Sequence, residues 1–205
     1  MRDASPEATP ATRVMQPPTD PPDSMGGFAM IDFSRNHFEL FGLPARFDVD
    51  PAVLDRAYHA LQGVVHPDRH ATAGAAAQRL ALQSSARVNE AYGALKDPVA
   101  RAQYLLSLRG VDALSETETS LPIAFLQRQL ERREAAAEAA AARDLRALVA
   151  LLGAVNAESA ELEQRIAGLL DTEESLDAAR ARVREFKFLR KFAADIDAMQ
   201  GELEG

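Results

Sequence analysis

Residues 50–68 read DPAVLDRAYHALQGVVHPD, and this stretch decides how the chain is organised. Asp50 followed by Pro51 is a helix start. The carboxylate can accept free backbone N–H groups of the first turn, and proline at the first helical position lacks only a donor that has no partner there. Leu54, Tyr58, Leu61 and Val65 then recur at spacings of four, three and four, which is one face of an amphipathic helix. The helix has to stop before Pro67, because proline disfavours the α region for the residue preceding it. His66, Pro67 and Asp68 are thereby predicted to form a loop, with a rigid proline fixing the backbone between an imidazole and a carboxylate that both project from the surface.

Working outward, residues 36–43 are short and apolar-rich and are closed by Pro44, which predicts one or two helical turns. Residues 1–32 hold Pro6, Pro10, Pro17, Pro18, Pro21 and Pro22 and few large apolar side chains, the composition of a disordered tail. Beyond the loop, which contains Gly74, a helix is predicted over about 75–95, with Leu80, Val88, Ala91, Tyr92 and Leu95 on or near one face. Asp97-Pro98 repeats the Asp-Pro start and opens a helix running to about residue 108, with Gly110 ending it. The polar segment 111–121 is the expected linker, separating a first domain at 33–110 from a second at 122–205.

After Pro122 the composition becomes Ala, Leu, Glu and Arg, all strong helix formers. Breaks are expected near 142–144 and 171–172. Leu145, Leu148, Leu152, Val155, Leu162, Ile166 and Leu169 hold one apolar stripe, and Leu176, Ala179, Val183, Phe186, Leu189, Ala193 and Ile196 hold another. Three helices joined by short turns predict an antiparallel bundle. The fold class is all-α, with no strand signal of any length.

The chain carries 31 acidic against 23 basic residues, a formal net charge of −8, which argues against a nucleic-acid partner. It has no cysteine, so it can form neither a disulfide nor a thiolate metal site. No apolar run is long enough to span a bilayer, and the first residues, with Arg2, Asp3 and Glu7, lack the apolar core of a secretory signal. A cytoplasmic protein without a membrane partner is the expectation.

On the three residues alone, His66-Pro67-Asp68 is also ordinary loop chemistry. A metal reading would draw on His59, His66 and His70, but Pro67 breaks the helix that would align the last two. Acid–base chemistry by His66 and Asp68 is possible, yet no nucleophile, phosphate loop or carboxylate cluster completes a site. No catalytic residue, metal ligand or cofactor is expected.

With Phe38 through Leu43, Tyr58, Asn89-Glu90-Ala91-Tyr92, Leu95-Lys96-Asp97-Pro98, Arg101 and Tyr104, the loop resembles the J domain of DnaJ-type co-chaperones. The stretches His37-Phe38-Glu39-Leu40-Phe41-Gly42-Leu43-Pro44 and 101–110 (RAQYLLSLRG) are similar to HscB, the J-type co-chaperone of bacterial iron–sulfur cluster assembly. The likeness covers roughly residues 33–202. It implies a J domain, a helical hairpin with flanking short helices, followed by the three-helix bundle. It also implies that the chain is a regulator rather than an enzyme. His66, Pro67 and Asp68, with Arg69 and Arg56, would dock on an HscA/DnaK-class ATPase chaperone and stimulate its ATP hydrolysis. The helix before the loop departs from the family in its thin positive face, Arg56 and His59, with Gly63 and Val64 where basic or polar residues are common.

The implied client is an IscU-type iron–sulfur scaffold, held on the bundle by Leu126, Leu130, Glu131, Glu134, Glu138 and Phe188. Gln127 stands where the family can have an apolar residue. By spacing alone, Leu126 and Leu130 read as a core pair beside a solvated acidic face, and the resemblance reverses that. Phe188, Phe192 and Met199 lie off the main stripe of the last helix, which fits either burial on a second side or an exposed apolar patch. A J-domain protein with a different client, or a helical metal-dependent hydrolase built on His59, His66 and Asp68, are the alternative readings.

Overall fold

A computed structural model of the chain describes residues 31–66, 68, 74–113, 121–172 and 175–204. The expected tail lies outside them except for its last two residues, and of these Ile31 is buried in the core. All regular elements among the described residues are helices: α1 (His37–Leu40), α2 (Pro51–Val65), α3 (Ala75–Lys96), α4 (Pro98–Leu108), α5 (Ile123–Ala141), α6 (Leu145–Asp171) and α7 (Leu176–Glu204).

The helix starts follow from local chemistry. Asn36 and Glu39 form a reciprocal capping box, each side chain accepting the other's backbone N–H at 3.0 and 2.9 Å. Asp50 accepts from the Ala52 N–H at 2.8 Å, Asp97 from Ala100 at 2.7 Å and Asp144 from Ala147 at 3.0 Å. At the end of α4, Gly110 adopts φ +75°, where a side chain would be strained. The Gly110 and Val111 N–H groups return to the Ser107 and Leu106 carbonyls, closing the helix with a left-handed turn.

Helices α2 and α3 form a hairpin, with α1 packed on α3 and α4 following it; α5, α6 and α7 form a bundle in which α6 and α7 pack along their length. One continuous core runs through both parts, from Phe38, Leu54 and Leu95 to Leu162, Phe186 and Ile196. Helix α4 supplies the contact, packing on α6 and α7. Polar groups close the joint. Asp171, whose side chain is 9 % exposed, accepts the backbone N–H of Phe47 at 2.6 Å and of Asp48 at 3.3 Å. Arg101 stacks its guanidinium 4.8 Å over the Phe47 ring, donates to the Leu95 carbonyl at 2.8 Å and reaches Glu163 at 3.8 Å. Arg184 donates to the Ala113 carbonyl at 3.1 Å.

His37 is buried beneath Tyr104, ring on ring at 4.0 Å, and its backbone N–H donates to the Tyr104 hydroxyl at 2.9 Å. Its Nδ1 has no hydrogen-bond partner among the described residues. Burial, and secondarily the Arg87 guanidinium, lower its pKa from the ordinary 6.5, with Glu90 acting in the other direction. The unfolded chain therefore takes up this proton first, so stability is lost as pH falls below about 6.5, down to the folded-state value. The urea midpoint of the wild type should accordingly drop between neutral and mildly acidic pH by more than that of His37→Phe, which keeps the stacking and removes the titration. Parallel pH profiles for the two proteins would assign the dependence to other groups.

Candidate functional site: a helix-end loop and a bundle face

The α2–α3 hairpin is clamped by polar and aromatic side chains. The Tyr58 and Tyr92 rings stack at 4.0 Å, and the Tyr58 hydroxyl donates to Asn89 Oδ1 at 3.0 Å, an oxygen that also accepts from Gln62 Nε2. The Tyr92 hydroxyl donates to Asp55 at 2.7 Å and accepts from Lys96 Nζ at 2.8 Å. That last bond holds the Lys96 ammonium above its ordinary pKa. Tyr58, Asn89 and Tyr92 thus bind α2 to α3.

Val65, 3 % exposed, anchors the last turn of α2, and His66 follows in extended backbone at ψ 127°. The side chains of His66 and Asp68 are 54 % and 90 % exposed, with His66 Nδ1 3.7 Å from Asp68 Oδ2. The Asp68 backbone N–H donates to the same Nδ1 at 3.3 Å. Pro67, Arg69 and His70 lie outside the described residues. Arg56 is exposed on α2, roughly 15 Å along the helix from His66. His59 lies edge-on to Tyr58, two turns from His66, and among the described residues no group of three or more His, Asp or Glu is placed to hold a metal.

On the bundle, the buried line of α5 is Phe125, Gln129, Ala136 and Ala139. Leu126 and Leu130 are 44 % and 60 % exposed, so the core-pair reading from spacing is corrected. It failed because Gln129, a polar residue, occupies a core position and disguises the inner stripe. Glu131, Glu134 and Glu138 are exposed on the same outer side of the helix and make no ion pair among the described residues; Gln127 is exposed as well.

Phe188 resolves the two-sided question for α7. It is half-buried, its ring 5.7 Å from Phe125 and nearly perpendicular to it. Phe192 is 2 % exposed and Met199 partly covered, so α5 covers the second side of α7. The Arg133 guanidinium lies 5.3 Å from the Phe188 ring and 5.7 Å from the Phe192 ring. Phe188 therefore sits at the seam between α5 and α7, against Phe125 and Arg133, rather than alone on an open patch. Two members of this face were missed. Ile123, 76 % exposed, lies three and seven residues before the leucines, a spacing already visible in the sequence. Arg133 gave no signal, because its stacking depends on the packing of two helices.

A clamped helical hairpin presenting His66 and Asp68, followed by a three-helix bundle, defines a J-domain protein with an appended helical domain. Residues 121–197 match the HSCB C-terminal oligomerisation domain family. The chain is 47 % identical over 175 residues to the co-chaperone protein HscB homolog of Burkholderia multivorans, covering 85 % of this chain and 99 % of that one. The chain belongs to the HscB co-chaperone family. The homolog of Burkholderia vietnamiensis is 46 % identical over the same coverage. Among solved structures, chaperone HscB from Vibrio cholerae superposes with a TM-score of 0.74 at 36 % identity, covering 82 % of this chain and 99 % of that one. Human co-chaperone protein HscB does so with 0.76 at 26 % identity, covering 82 % and 83 %. No helix among the described residues is long and apolar enough to cross a membrane.

Proposed function

We propose that this chain is a cytoplasmic co-chaperone, itself without catalytic chemistry, that joins an HscA/DnaK-class ATPase chaperone to an IscU-type iron–sulfur scaffold and promotes cluster assembly or transfer. The observation that carries the reading is the exposure of His66 and Asp68 on a rigidly clamped hairpin, on the same frame as an exposed Leu126–Leu130 pair that a monomeric bundle does not need. The J domain, 33–110, signals to the ATPase through His66, Pro67, Asp68 and Arg69, with Arg56 as the permanent cation on the adjoining helix. The bundle, 122–205, holds the scaffold through Leu126 and Leu130, with Phe188 at the seam and Glu131, Glu134 and Glu138 on the rim. Segment 111–121 separates the two. An apolar centre with a charged rim is the usual anatomy of a specific protein interface.

The reading is tested by steady-state ATP hydrolysis of a purified HscA-type chaperone. The expected result is stimulation by this chain that rises further when the IscU-type scaffold is added, together with a calorimetric complex between chain and scaffold. A stimulated ATPase with no scaffold complex would point to a different client. Absence of stimulation would overturn the J-domain role.

A further inference from the structure

We propose that Lys187 and Lys191 form a basic wing of the client face, opposite the acidic wing of α5, so that the face accepts a client in one orientation only. The inference rests on the reading of Leu126, Leu130 and Phe188 as the centre of that face, and adds its second charged border.

In a chain of net charge −8, several arginines of the bundle are committed to carboxylates. Arg128 and Arg132 both reach Glu158, Arg165 reaches Glu161 and Arg182 holds Glu185. Lys187 and Lys191 are exposed, one helical turn apart, and pair with no carboxylate among the described residues. They immediately precede Phe188 and Phe192, the two rings that α7 turns toward α5. A step of about 100° back around the helix from each ring places both ammonium groups on the outer shoulder of α7, bordering the seam. Arg190 does not belong with them: it lines the groove with Leu152, Asn156 and Asp197 on the α6 side.

The surface is continuous from one wing to the other. Lys187 and Lys191 border Phe188, which Arg133 covers. Arg133 lies seven residues after Leu126 and three after Leu130, on the same flank of α5. Glu134 and Glu138 continue the line of Leu126 and Leu130 at successive steps of four, with Glu131 beyond. The order across the face is therefore base, apolar centre, acid. The occupant that fits is the folded scaffold presenting an apolar patch between an acidic and a basic border. Rotating it by half a turn would bring like charges together on both sides, which is how charge patterns fix orientation and speed encounter without adding much net affinity.

The test measures association kinetics and calorimetric affinity of the full chain with purified, metal-free IscU-type scaffold. The proteins compared are wild type, Lys187→Glu/Lys191→Glu, Lys187→Gln/Lys191→Gln and Leu126→Ala/Leu130→Ala. Helicity and melting confirm that each is folded. At low ionic strength the Glu variant should associate about tenfold more slowly and the Gln variant about threefold, both approaching wild type as salt is raised. Wild-type association of the Glu variant at low salt, with the leucine variant impaired, would overturn the basic wing and leave the client face standing. Wild-type binding by both the lysine and the leucine variants would remove the face itself and the wing with it.

Discussion

Replacing His66 with glutamine is expected to abolish stimulation of the HscA-type ATPase while leaving scaffold binding at its wild-type level. His66 follows the last residue of α2, and its side chain is 54 % exposed, so little packing is lost. Exposed substitutions of this kind usually change stability by no more than about 0.5 kcal/mol. What changes is the chemistry offered to a partner. The imidazole is an exposed planar ring whose Nδ1 accepts the Asp68 N–H at 3.3 Å. Glutamine is longer, flexible and without the planar ring, so it cannot hold the same polar group against the same backbone. Loss of a central contact typically costs about 2 kcal/mol or more, roughly a thirtyfold weakening. At co-chaperone concentrations near the wild-type half-saturation point, stimulation should therefore fall to about 3 % of its maximum, close to the unstimulated rate. Calorimetry with the scaffold supplies the control, because His66 lies on the hairpin and the proposed client face on the bundle. Stimulation that persists unchanged in this variant would remove His66 from the docking role.

The second large effect is expected at the other surface. Leu126→Ala/Leu130→Ala removes two side chains that are 44 % and 60 % exposed and lie outside the buried line of α5. Alanine is a strong helix former, so the helix itself is not weakened. If each leucine fills a pocket on the scaffold, truncation costs about 2 kcal/mol apiece, and the double variant should bind several hundredfold more weakly. Phe188→Ala is a less clean probe. Phe188 packs against Phe125 and lies under Arg133, so its loss would disturb the α5–α7 seam as well as any client contact. The leucine pair therefore separates binding from folding, and wild-type affinity in that variant would show the client face to be elsewhere.

Much of the architecture was legible because it is written in short-range chemistry. Asp50-Pro51 and Asp97-Pro98 mark helix starts that the structure reproduces, and the stripe from Ala179 to Ile196 faces the core as its spacing implies. The loop at His66 follows from a proline that no helix can absorb. What could not be read depends on long-range packing. Gln129 in the buried line of α5 hid which face points inward, and only the neighbouring helices reveal it. Phe188 was ambiguous because whether a second side of α7 is covered depends on where α5 lies. The burial of His37 under Tyr104 and the capture of the Phe47 N–H by Asp171 link residues 67 and 124 positions apart, with no local pattern to announce them. Ile123 was different: its spacing was available and only its exposure was missing.

The joint around Asp171 bears on how the proposed two-ended adaptor would work. With the Phe47 and Asp48 N–H groups held by a nearly buried carboxylate, and Arg101 stacked on Phe47, the hairpin and the bundle share one frame. On the proposed function, a client held on the bundle would be delivered to a chaperone docked on the hairpin at a local concentration set by the shape of the protein. A floppy tether would dilute that concentration roughly as the −3/2 power of its length, whereas a stiff span of matching reach keeps it near its maximum. The same stiffness makes the arrangement unforgiving: a chaperone whose client groove lies at another distance from its docking site would receive no benefit from the second contact. Partner choice would in this way be written into the distance between two surfaces as well as into the residues that line them.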